Sequence, residues 1–375
     1  MKIKGIVIWG HSNCRSVMGL YRELIRASGL PAIIPLWRVS RDATCFNTVR
    51  QDTGFRCDEF SDLPMMGAGD DYATCRRILD EHRDWLQLFC DYQLSAVRRR
   101  LILEAKAMGC VVGILNEAPC NMETGFRALA KLFFMRFVLP RKIGKQIKAA
   151  DFFVNYSGDD DKYLKWVGWP QDKIIPLGYF PPPIEGSKCV ARARRPRPFM
   201  ILTTGILAKY RGADVLVRAL KILKDRGIDY RATITQDGEL LPLLKSEATK
   251  YDLPIDFPGF LPMPKLIEHY EICSVYVGAG RHEPWGMRLN DALNCGAPLI
   301  VSRGMGGVKL VDDYKCGLSF ASGDVKGLAD ALERMATDDV LYAKCAFQAK
   351  LAADEISPRV QAERLWQAIL KYIKL

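Results

Sequence analysis

The sequence predicts an α/β protein of two domains, each built on a parallel sheet with crossover helices, and three observations carry this prediction. The chain has 375 residues, the length of two globular domains of ordinary size. Short apolar runs of β-forming residues alternate with longer helical patterns. The alternation breaks at Gly178 to Pro183, where three consecutive prolines cannot continue a helix or the interior of a sheet. We therefore expect two Rossmann-like domains facing a cleft, with ligands at the carboxyl ends of the strands.

In the first half, residues 1–183, apolar runs predict strands and amphipathic periodicity predicts helices. The predicted strands are Ile3–Trp9, Pro31–Pro35, Cys110–Leu115, Phe152–Asn155 and Ile174–Leu177. The predicted helices are Ser16–Ala27, Asp71–Phe89, Tyr92–Met108 and Gly158–Trp166. A turn at Gly10 to Asn13 follows the first strand, and the stretch from Arg38 to Asp71 has weak periodicity, so we expect it to be irregular.

The second half repeats the pattern after a basic linker at residues 184–197 and forms a domain over residues 198–355. Its predicted strands are Phe199–Thr203, Tyr230–Thr235, Val275–Val277 and Pro298–Val301. Its predicted helices are Ala213–Arg226, Leu240–Lys250, Met287–Asn294 and Val325–Ala336. A last helix occupies residues 356–375.

The charge of the chain is unevenly distributed. Lys and Arg number 54 against 43 Asp and Glu, a formal net charge of +11. Seven basic residues and no acidic one lie between Thr124 and Ala150, and five more lie between Lys188 and Arg197, which leaves the rest of the chain nearly neutral. A nucleic-acid-binding domain that is basic along a whole face is therefore disfavoured, and we expect no nucleic-acid partner.

Cysteine usage and hydropathy bear on the compartment. The twelve cysteines include no C-x-x-C pair, so we expect reduced thiols in the cytosol. A zinc site stays open, although the four histidines include no pair with ligand spacing. The first apolar run, Gly5 to Gly10, is too short for a signal peptide, and no stretch reaches the ~18 apolar residues of a transmembrane helix.

The most informative motif runs from Gly280 to Pro298. It follows a predicted strand and opens a helix, where free backbone N–H groups favour phosphate. Glu283 precedes the helix and is placed to accept hydrogen bonds from hydroxyl groups, and Asp291 follows eight residues later. Taken alone, the motif is equally well explained by an acidic residue that favours the helix dipole and one solvated aspartate.

This motif resembles that of the family-4 retaining glycosyltransferases of the GT-B fold (glycosyltransferase group 1), which has an E-P/G-F-G-x-x-x-x-E-A-M-A-x-G-x-P pattern. The resemblance implies that Glu283 contacts the donor sugar and that Asp291 contacts the ribose, although Asp in place of the usual Glu shortens that reach. It assigns donor binding also to the intervening Pro284, Trp285, Gly286 and Met287. It further implies that the last helix crosses back to the first domain.

Other segments match the family in the same order. The stretch from Thr204 to Gly212 resembles the loop where basic side chains hold the diphosphate, which implies a donor contact at Gly205 and charge neutralisation by Lys209 and Arg211. Many members carry Arg directly after the glycine, where this chain has Ile206. Solvated loop cations are the alternative explanation. The segment Phe257-Pro258-Gly259-Phe260-Leu261 resembles the one that lines the base pocket, which implies that the backbone of Phe260 and Leu261 reads the base.

The first half resembles the family less specifically. Gly10 and His11 occupy a glycine-containing loop after the first strand, where His11 contacts donor phosphate or acceptor, or else packs within the loop. Glu117 stands where many members have His, in a Glu-Ala-Pro segment similar to one in bacterial polysaccharide transferases. We therefore expect Glu117 on the acceptor side.

The basic segment Phe126 to Ala150 mixes large apolar residues with cations. This composition suits a surface laid on anionic lipid, and the alternative is a helix with an apolar core side and a solvated basic side. The cations that we assign to a membrane surface are Arg136, Arg141, Lys142, Lys145 and Lys148.

Together these features predict a retaining hexosyltransferase that moves a sugar from a nucleotide diphosphate sugar to an acceptor. We expect a lipid-linked glycan or another cell-surface polysaccharide or lipopolysaccharide precursor as acceptor, on the cytoplasmic face of the membrane, where the protein is peripheral. No metal and no other cofactor are expected, because protein cations neutralise the diphosphate. A GT-B nucleotide-sugar epimerase and a non-catalytic sugar-nucleotide or lipid-binding module remain as alternatives.

Overall fold

The computed structural model describes residues 2–12, 15–38, 60–90, 92–119, 125–158, 162–190 and 197–373. The chain divides into two compact units. Unit 1 comprises Met1–Pro182 and Pro358–Leu375, and unit 2 comprises Pro183–Ser357.

Unit 1 is built on a seven-stranded sheet in which all neighbouring strands are parallel. Its strands are β1 (Ile6–Ser12), β2 (Ala32–Arg38), β3 (Met65–Gly67), β4 (Leu86–Phe89), β5 (Val112–Asn116), β6 (Phe152–Asn155) and β7 (Ile174–Pro176). Their order in the sheet is β3-β2-β1-β4-β5-β6-β7. Every residue of β4 and β6 is buried, as expected for strands covered on both faces.

Helices of unit 1 connect these strands and cover the sheet. They are α1 (Arg15–Ser28), α2 (Tyr72–Glu81), α3 (Ala96–Ala107), α4 (Gly125–Phe133), a π-helical turn (Phe134–Val138), α5 (Leu139–Ala149) and α6 (Lys162–Val167). The chain returns at its end to add α14 (Pro358–Ile369), which packs against α1. A Cβ atom at Gly19 of α1 would lie 2.7 Å from Pro182 Cδ and 3.5 Å from Pro358 Cγ, so glycine allows this close approach.

The structure corrects four predictions in unit 1. The predicted helix Asp71–Phe89 is wrong beyond Glu81, because Leu86–Phe89 form the strand β4, in which even the polar Gln87 is buried. The helix predicted from Tyr92 begins only at Ala96. Ser95 is its N-cap, because its hydroxyl accepts a hydrogen bond from the backbone N–H of Arg98.

The predicted irregular stretch and the predicted turn are the other two cases. Met65–Gly67 form the edge strand β3, paired with β2, whereas residues 39–59 lie outside the described residues. The strand β1 continues through His11 and Ser12, which were expected in a turn, and Asn13 also lies outside the described part.

Unit 2 contains a six-stranded parallel sheet in the order β10-β9-β8-β11-β12-β13. Its strands are β8 (Phe199–Thr203), β9 (Tyr230–Thr235), β10 (Ile255–Gly259), β11 (Val275–Gly278), β12 (Leu299–Ser302) and β13 (Gly317–Phe320). Its helices are α7 (Ala213–Asp225), α8 (Leu241–Lys250), α9 (Met263–Ile272), α10 (Arg288–Asn294), α11 (Val308–Tyr314), α12 (Val325–Thr337) and α13 (Asp339–Glu355). Strands β10 and β13 were not predicted from the sequence.

The two strand orders confirm the predicted Rossmann-like architecture. In each unit the first strand in sequence is flanked by the second and the fourth, so the chain reverses direction across the sheet beside that strand. In unit 2 the reversal lies between β8 and β11, and ligands of open α/β sheets bind outside the carboxyl ends of such strands.

The predicted linker is only partly described. Residues 184–190 belong to unit 2, where the N–H of Val190 donates to the carbonyl of Cys295. Arg192, Arg194 and Arg195 lie outside the described residues.

No helix in the described part of the chain is long and apolar enough to cross a bilayer. The cysteines described are free thiols, and apart from Cys189 they are buried.

Glycines at the two ends of α7 provide a test of how closely unit 2 is packed. Gly212 and Gly227 have nearly equal positive φ angles of 74° and 73°. A Cβ at Gly212 would lie 2.0 Å from the carbonyl oxygen of Ala279, whereas a Cβ at Gly227 would meet open space.

We predict that Gly227→Ala costs about 1 kcal/mol of unfolding free energy, because it pays only for the left-handed backbone. Gly212→Ala should cost about 3 kcal/mol or more, because α7 must also move away from the end of β11. Urea unfolding of the two variants beside the parent measures the difference. Equal costs would show that the approach of Gly212 to Ala279 does not constrain the fold.

Candidate active site

An open pocket of about 410 Å³ lies at the carboxyl ends of β8 and β11 in unit 2. The chain after β8 lines one side, and the chain after β11 lines the other. The lining residues are Thr203, Thr204, Gly205, Ile206, Leu207, Arg211, Ala213, Tyr276, Val277, Gly278, Ala279, Gly280, Glu283, Gly286, Arg288, Leu289 and Met305. The pocket therefore occupies the position at which the strand order reverses.

Glycine keeps part of this pocket open. A Cβ at Gly280 would lie 2.9 Å from Met305 Cγ and 3.3 Å from an oxygen of Glu283. Gly286 has a φ angle of 98°, and a Cβ there would lie 2.4 Å from Met305 Cε. Larger residues at these positions would displace Met305 and crowd Glu283.

The loop that carries Glu283 is held in place through its backbone. Glu283 forms a parallel bridge with Met305, its N–H donates to the carbonyl of Gly304 at 2.9 Å, and its carbonyl accepts from Gly306 N–H at 3.0 Å. A Cβ at Gly304 would lie 2.1 Å from the carbonyl oxygen of Arg281. The glycine-rich segment after β12 thus positions the loop of Glu283.

An ion pair between Arg211 and Glu283 forms the centre of the pocket. The side chain of Glu283 is 9% exposed, and burial raises the pKa of its carboxyl although the charge of Arg211 opposes the rise. Burial lowers the pKa of the Arg211 guanidinium. The charge of Glu283 and the contact with Tyr210 outweigh this effect, so the pKa of Arg211 is raised. The Nε of Arg211 is buried and has no hydrogen-bond partner among the described residues.

A second arginine, Arg288, also lines the pocket. Its Nη1 lies 3.1 Å from a carboxylate oxygen of Asp291, one helical turn away on α10. Burial lowers the pKa of Arg288, but Tyr270, Asp291 and Tyr276 outweigh this effect, so the pKa is raised. Sequence reasoning missed Arg288, although its i,i+3 spacing to Asp291 indicates an ion pair on one helix face.

Arg281 anchors the turn that carries Arg211. Its two terminal nitrogens contact both carboxylate oxygens of Asp214 at 2.7 and 2.6 Å, and Nη1 also donates to the carbonyl of Lys209 at 2.7 Å. Its backbone N–H donates to the carbonyl of Tyr210. Sequence reasoning missed this contact, because 67 residues separate the partners and neither position carries a local signal.

The other predicted donor residues are placed differently. Gly205 and Gly286 line the pocket, whereas the side chain of Lys209 is exposed and is not part of the lining. Asp291 is buried and paired with Arg288. The remaining predicted donor residues do not line the pocket. Trp285 is buried and its indole N–H donates to Asn290, whereas Met287 is exposed. Pro284, Phe260 and Leu261 are half-buried.

The predicted acceptor residues lie in unit 1. Gly10 and His11 belong to the end of β1, where the imidazole of His11 stands edge-on to Trp37 at 5.1 Å between ring centroids. Glu117 directly follows β5 and is half-buried. Because β1 and β5 are parallel and separated by β4, both residues lie at the same edge of this sheet. Among the described residues, no group of three or more His, Cys, Asp or Glu side chains is placed to bind a metal ion.

Comparison with known families identifies the domain that carries the pocket. Residues 190–352 match the family model of glycosyl transferases group 1. Unit 2 carries a glycosyl transferases group 1 domain. The match covers less than half of the chain and includes all of the residues that line the pocket.

Curated relatives are similar over part of the chain. A GDP-mannose-dependent alpha-(1-6)-phosphatidylinositol dimannoside mannosyltransferase of Mycobacterium tuberculosis is 31% identical over 142 residues, which cover 36% of this chain and 37% of that protein. A D-inositol 3-phosphate glycosyltransferase of Paenarthrobacter aurescens is 25% identical over 203 residues, which cover 51% of this chain and 50% of that protein. The chain thus spans between about a third and a half of the length of these relatives.

Solved structures share the fold over nearly the whole chain. The lipopolysaccharide outer core galactosyltransferase WaaB has a TM-score of 0.68 at 13% identity, covering 98% of this chain and 99% of that one. Anabaena HepE in complex with UDP and glucose has a TM-score of 0.65 at 13% identity, covering 98% of this chain and 100% of that one. The fold is therefore GT-B, as the sequence predicted.

The contact between Arg281 and Asp214 generates a prediction about stability and pH. Burial alone would raise the pKa of Asp214, but the hydrogen bonds and charge of Arg281 outweigh it and lower that pKa. A lowered pKa stabilises the fold above the ordinary Asp pKa of about 3.9, and this contribution is lost as the pH falls through the folded-state value.

We expect Asp214→Asn to lose about 2 kcal/mol of unfolding free energy at neutral pH. The difference from the parent should shrink as the pH falls from the ordinary Asp pKa of about 3.9 through the lower folded-state value, because the parent then loses the charge as well. The matched control is Asp225→Asn, which removes an exposed ion pair with Lys221 at the other end of α7 and should cost under about 0.5 kcal/mol. Urea unfolding across pH measures both, and a loss for Asp214→Asn that does not depend on pH would contradict this account.

Proposed function

We propose that the protein is a family-4 retaining glycosyltransferase that transfers a hexose from a nucleoside diphosphate sugar to an acceptor hydroxyl group. The observation that carries the proposal is the pocket at the strand reversal of unit 2, where two arginines flank one buried carboxylate. An anionic diphosphate matches the arginines, and a sugar with several hydroxyl groups matches the carboxylate. The group 1 domain match in unit 2 supports the same reaction class.

In this proposal the diphosphate is held by cations of the protein. Arg211 and Arg288 line the pocket, and the exposed Lys209 lies on the same turn as Arg211. The leaving diphosphate gains negative charge as its bond to the sugar breaks, so fixed cations stabilise the transition state more than the ground state. Arg288 supplies the charge that many family members place directly after the glycine, where this chain has Ile206. We propose no metal cofactor for this step.

Glu283 orients the donor sugar in this reaction. Its carboxylate accepts hydrogen bonds from sugar hydroxyl groups, and the charge of Arg211 opposes the rise in its pKa that burial causes. The acceptor oxygen attacks the anomeric carbon on the face that the diphosphate leaves. The bond from that carbon to the phosphate oxygen breaks, and the departing phosphate oxygen takes the acceptor proton. The product therefore retains the anomeric configuration.

We assign the acceptor side to unit 1, with His11 and Glu117 as binding residues. We further propose a lipid-linked glycan or another surface-polysaccharide precursor as acceptor, at the cytoplasmic face of the membrane, where the protein is peripheral. Two of the proteins compared support this class, because their names specify phosphatidylinositol dimannoside and lipopolysaccharide outer core. The named relatives are glycosyltransferases, which favours transfer over epimerisation.

The role of Glu283 is tested by Glu283→Gln, which removes the charge and keeps the shape. We expect turnover to fall about 10²- to 10³-fold, because the donor sugar loses its charged acceptor of hydrogen bonds. UDP-glucose and GDP-mannose are first screened for thermal stabilisation of the parent, and the one that binds is used as donor. Glu247→Gln on α8 is the control. Unchanged turnover in Glu283→Gln would refute the assignment, and donor binding with no transfer by the parent would favour a binding module.

The role of Arg288 is tested by titrating UDP and GDP, and the matching nucleosides, into Arg288→Ala and Lys209→Ala. Loss of a charge-assisted contact in the pocket should weaken nucleoside diphosphate binding about 10- to 100-fold in Arg288→Ala. Lys209→Ala should weaken it about fivefold or less, because Lys209 is exposed. Nucleoside binding should stay unchanged in both. Parent-like diphosphate binding by Arg288→Ala would exclude it from the diphosphate site.

A further inference from the structure

One face of unit 1 combines exposed apolar side chains with exposed cations. It runs over α4, the π-helical turn and α5, and we call it the Phe126–Lys148 face. Its exposed apolar residues are Phe126, Leu129, Phe133, Phe134, Phe137 and Val138, and its exposed cations are Arg127, Arg136, Arg141, Lys142, Lys145 and Lys148.

The apolar half of this face is unusual for a surface in water. Phe126 is 83% exposed and Phe133 is 61% exposed. Of the five phenylalanines that are exposed among the described residues, four lie here, and the fifth is Phe347 of α13. Phe133 and Phe137 contact each other, with ring centroids 5.0 Å apart. A contiguous apolar patch of this kind marks an interaction site.

The face does not owe its apolar residues to the core. The core side of the same segment uses Met135, Leu139, Ile143 and Ile147, which recur every fourth residue and are buried. The amide of Gln146 also donates to the carbonyl of Arg99 on α3 at 3.0 Å. The helix is thus attached to unit 1 by other residues, and the phenylalanines remain on the solvent side. The alternative of a simple core helix therefore leaves them unexplained.

Charge and apolar character are arranged in sequence along the face. The exposed apolar side chains occupy residues 126–138 together with the exposed Arg127 and Arg136, and four more exposed cations follow at residues 141–148. No acidic residue occurs between 124 and 150. A partner surface must therefore offer an apolar interior beside dense negative charge. An anionic lipid bilayer offers both, because acyl chains accept aromatic side chains and headgroups attract Lys and Arg.

We propose that the Phe126–Lys148 face docks on an anionic bilayer. The phenylalanines enter the boundary between headgroups and acyl chains, and Arg141, Lys142, Lys145 and Lys148 contact the lipid phosphates. The proposal deepens the proposed function, on which its biological role rests, by naming the surface that brings the enzyme to a lipid-linked acceptor. The surface itself is inferred from exposure and charge in unit 1 alone.

Sedimentation with vesicles of phosphatidylcholine, with and without phosphatidylglycerol, tests the proposal. The parent chain should bind only the anionic vesicles, and salt should weaken binding. Phe133→Ser with Phe137→Ser should lower the partition coefficient about tenfold, and Lys142→Glu, Lys145→Glu and Lys148→Glu together should lower it about a hundredfold.

Matched controls separate this face from the rest of the surface. Phe347→Ser removes an equally exposed phenylalanine of unit 2. Lys245→Glu, Lys344→Glu and Lys350→Glu together change the net charge by the same amount at exposed lysines of unit 2. Both controls should bind vesicles like the parent. The proposal is overturned if the parent fails to bind anionic vesicles, or if the controls lose as much binding as the face variants.

Two further readouts distinguish other outcomes. If the parent forms a dimer that Phe133→Ser with Phe137→Ser dissociates, and no vesicle binding occurs, the face is an interface between copies and the lipid proposal is wrong. Thermal stabilisation by UDP-glucose or GDP-mannose should be the same in all variants. Failure of the parent to bind anionic vesicles, with intact nucleotide-sugar binding, rejects only the docking surface. Vesicle binding by the parent without any nucleotide-sugar binding rejects only the proposed function.

Discussion

The buried ion pair between Arg211 and Glu283 is the interaction around which the pocket of unit 2 is organised. A carboxylate that is 9% exposed is costly unless a cation reaches it, and the two partners are 72 residues apart in sequence. Gly212 lets α7 begin against the end of β11, Arg281 anchors the turn of Arg211, and the glycines after β12 hold the loop of Glu283. Each of these features brings one partner of the pair into reach of the other.

The net charge of +11 separates into two kinds of cation with different consequences. The exposed lysines of the Phe126–Lys148 face have no acidic neighbour in sequence and act at a surface, where salt screens them. Arg211 and Arg288 each contact a carboxylate in a pocket, where a low local dielectric strengthens their effect on a diphosphate. In the function that we propose, net charge therefore bears on where the protein works, and the paired arginines bear on the reaction.

Local pattern predicted most of the fold but only part of the site. The boundaries of β8 and β9 match their predictions, because turn residues flank both runs. Leu86–Phe89 was assigned to a helix because its burial on both faces, which includes the polar Gln87, is not visible in so short a run of sequence. The motif around Glu283 was readable because its residues are adjacent, whereas the contact of Arg281 with Asp214 arises only when distant segments meet. Arg288 was missed although its spacing to Asp291 was visible.

In the function that we propose, the donor diphosphate binds beside Glu283 and contacts Arg211, the cation that pairs with Glu283 in this structure. Diphosphate charge in this pocket should raise the pKa of Glu283 further, so binding should be accompanied by proton uptake. Calorimetric titration of UDP or GDP, in buffers with different ionisation enthalpies, measures that uptake. We expect uptake by the parent that is absent in Glu283→Gln. The same proton balance in both proteins, or no binding of either diphosphate, would contradict the account.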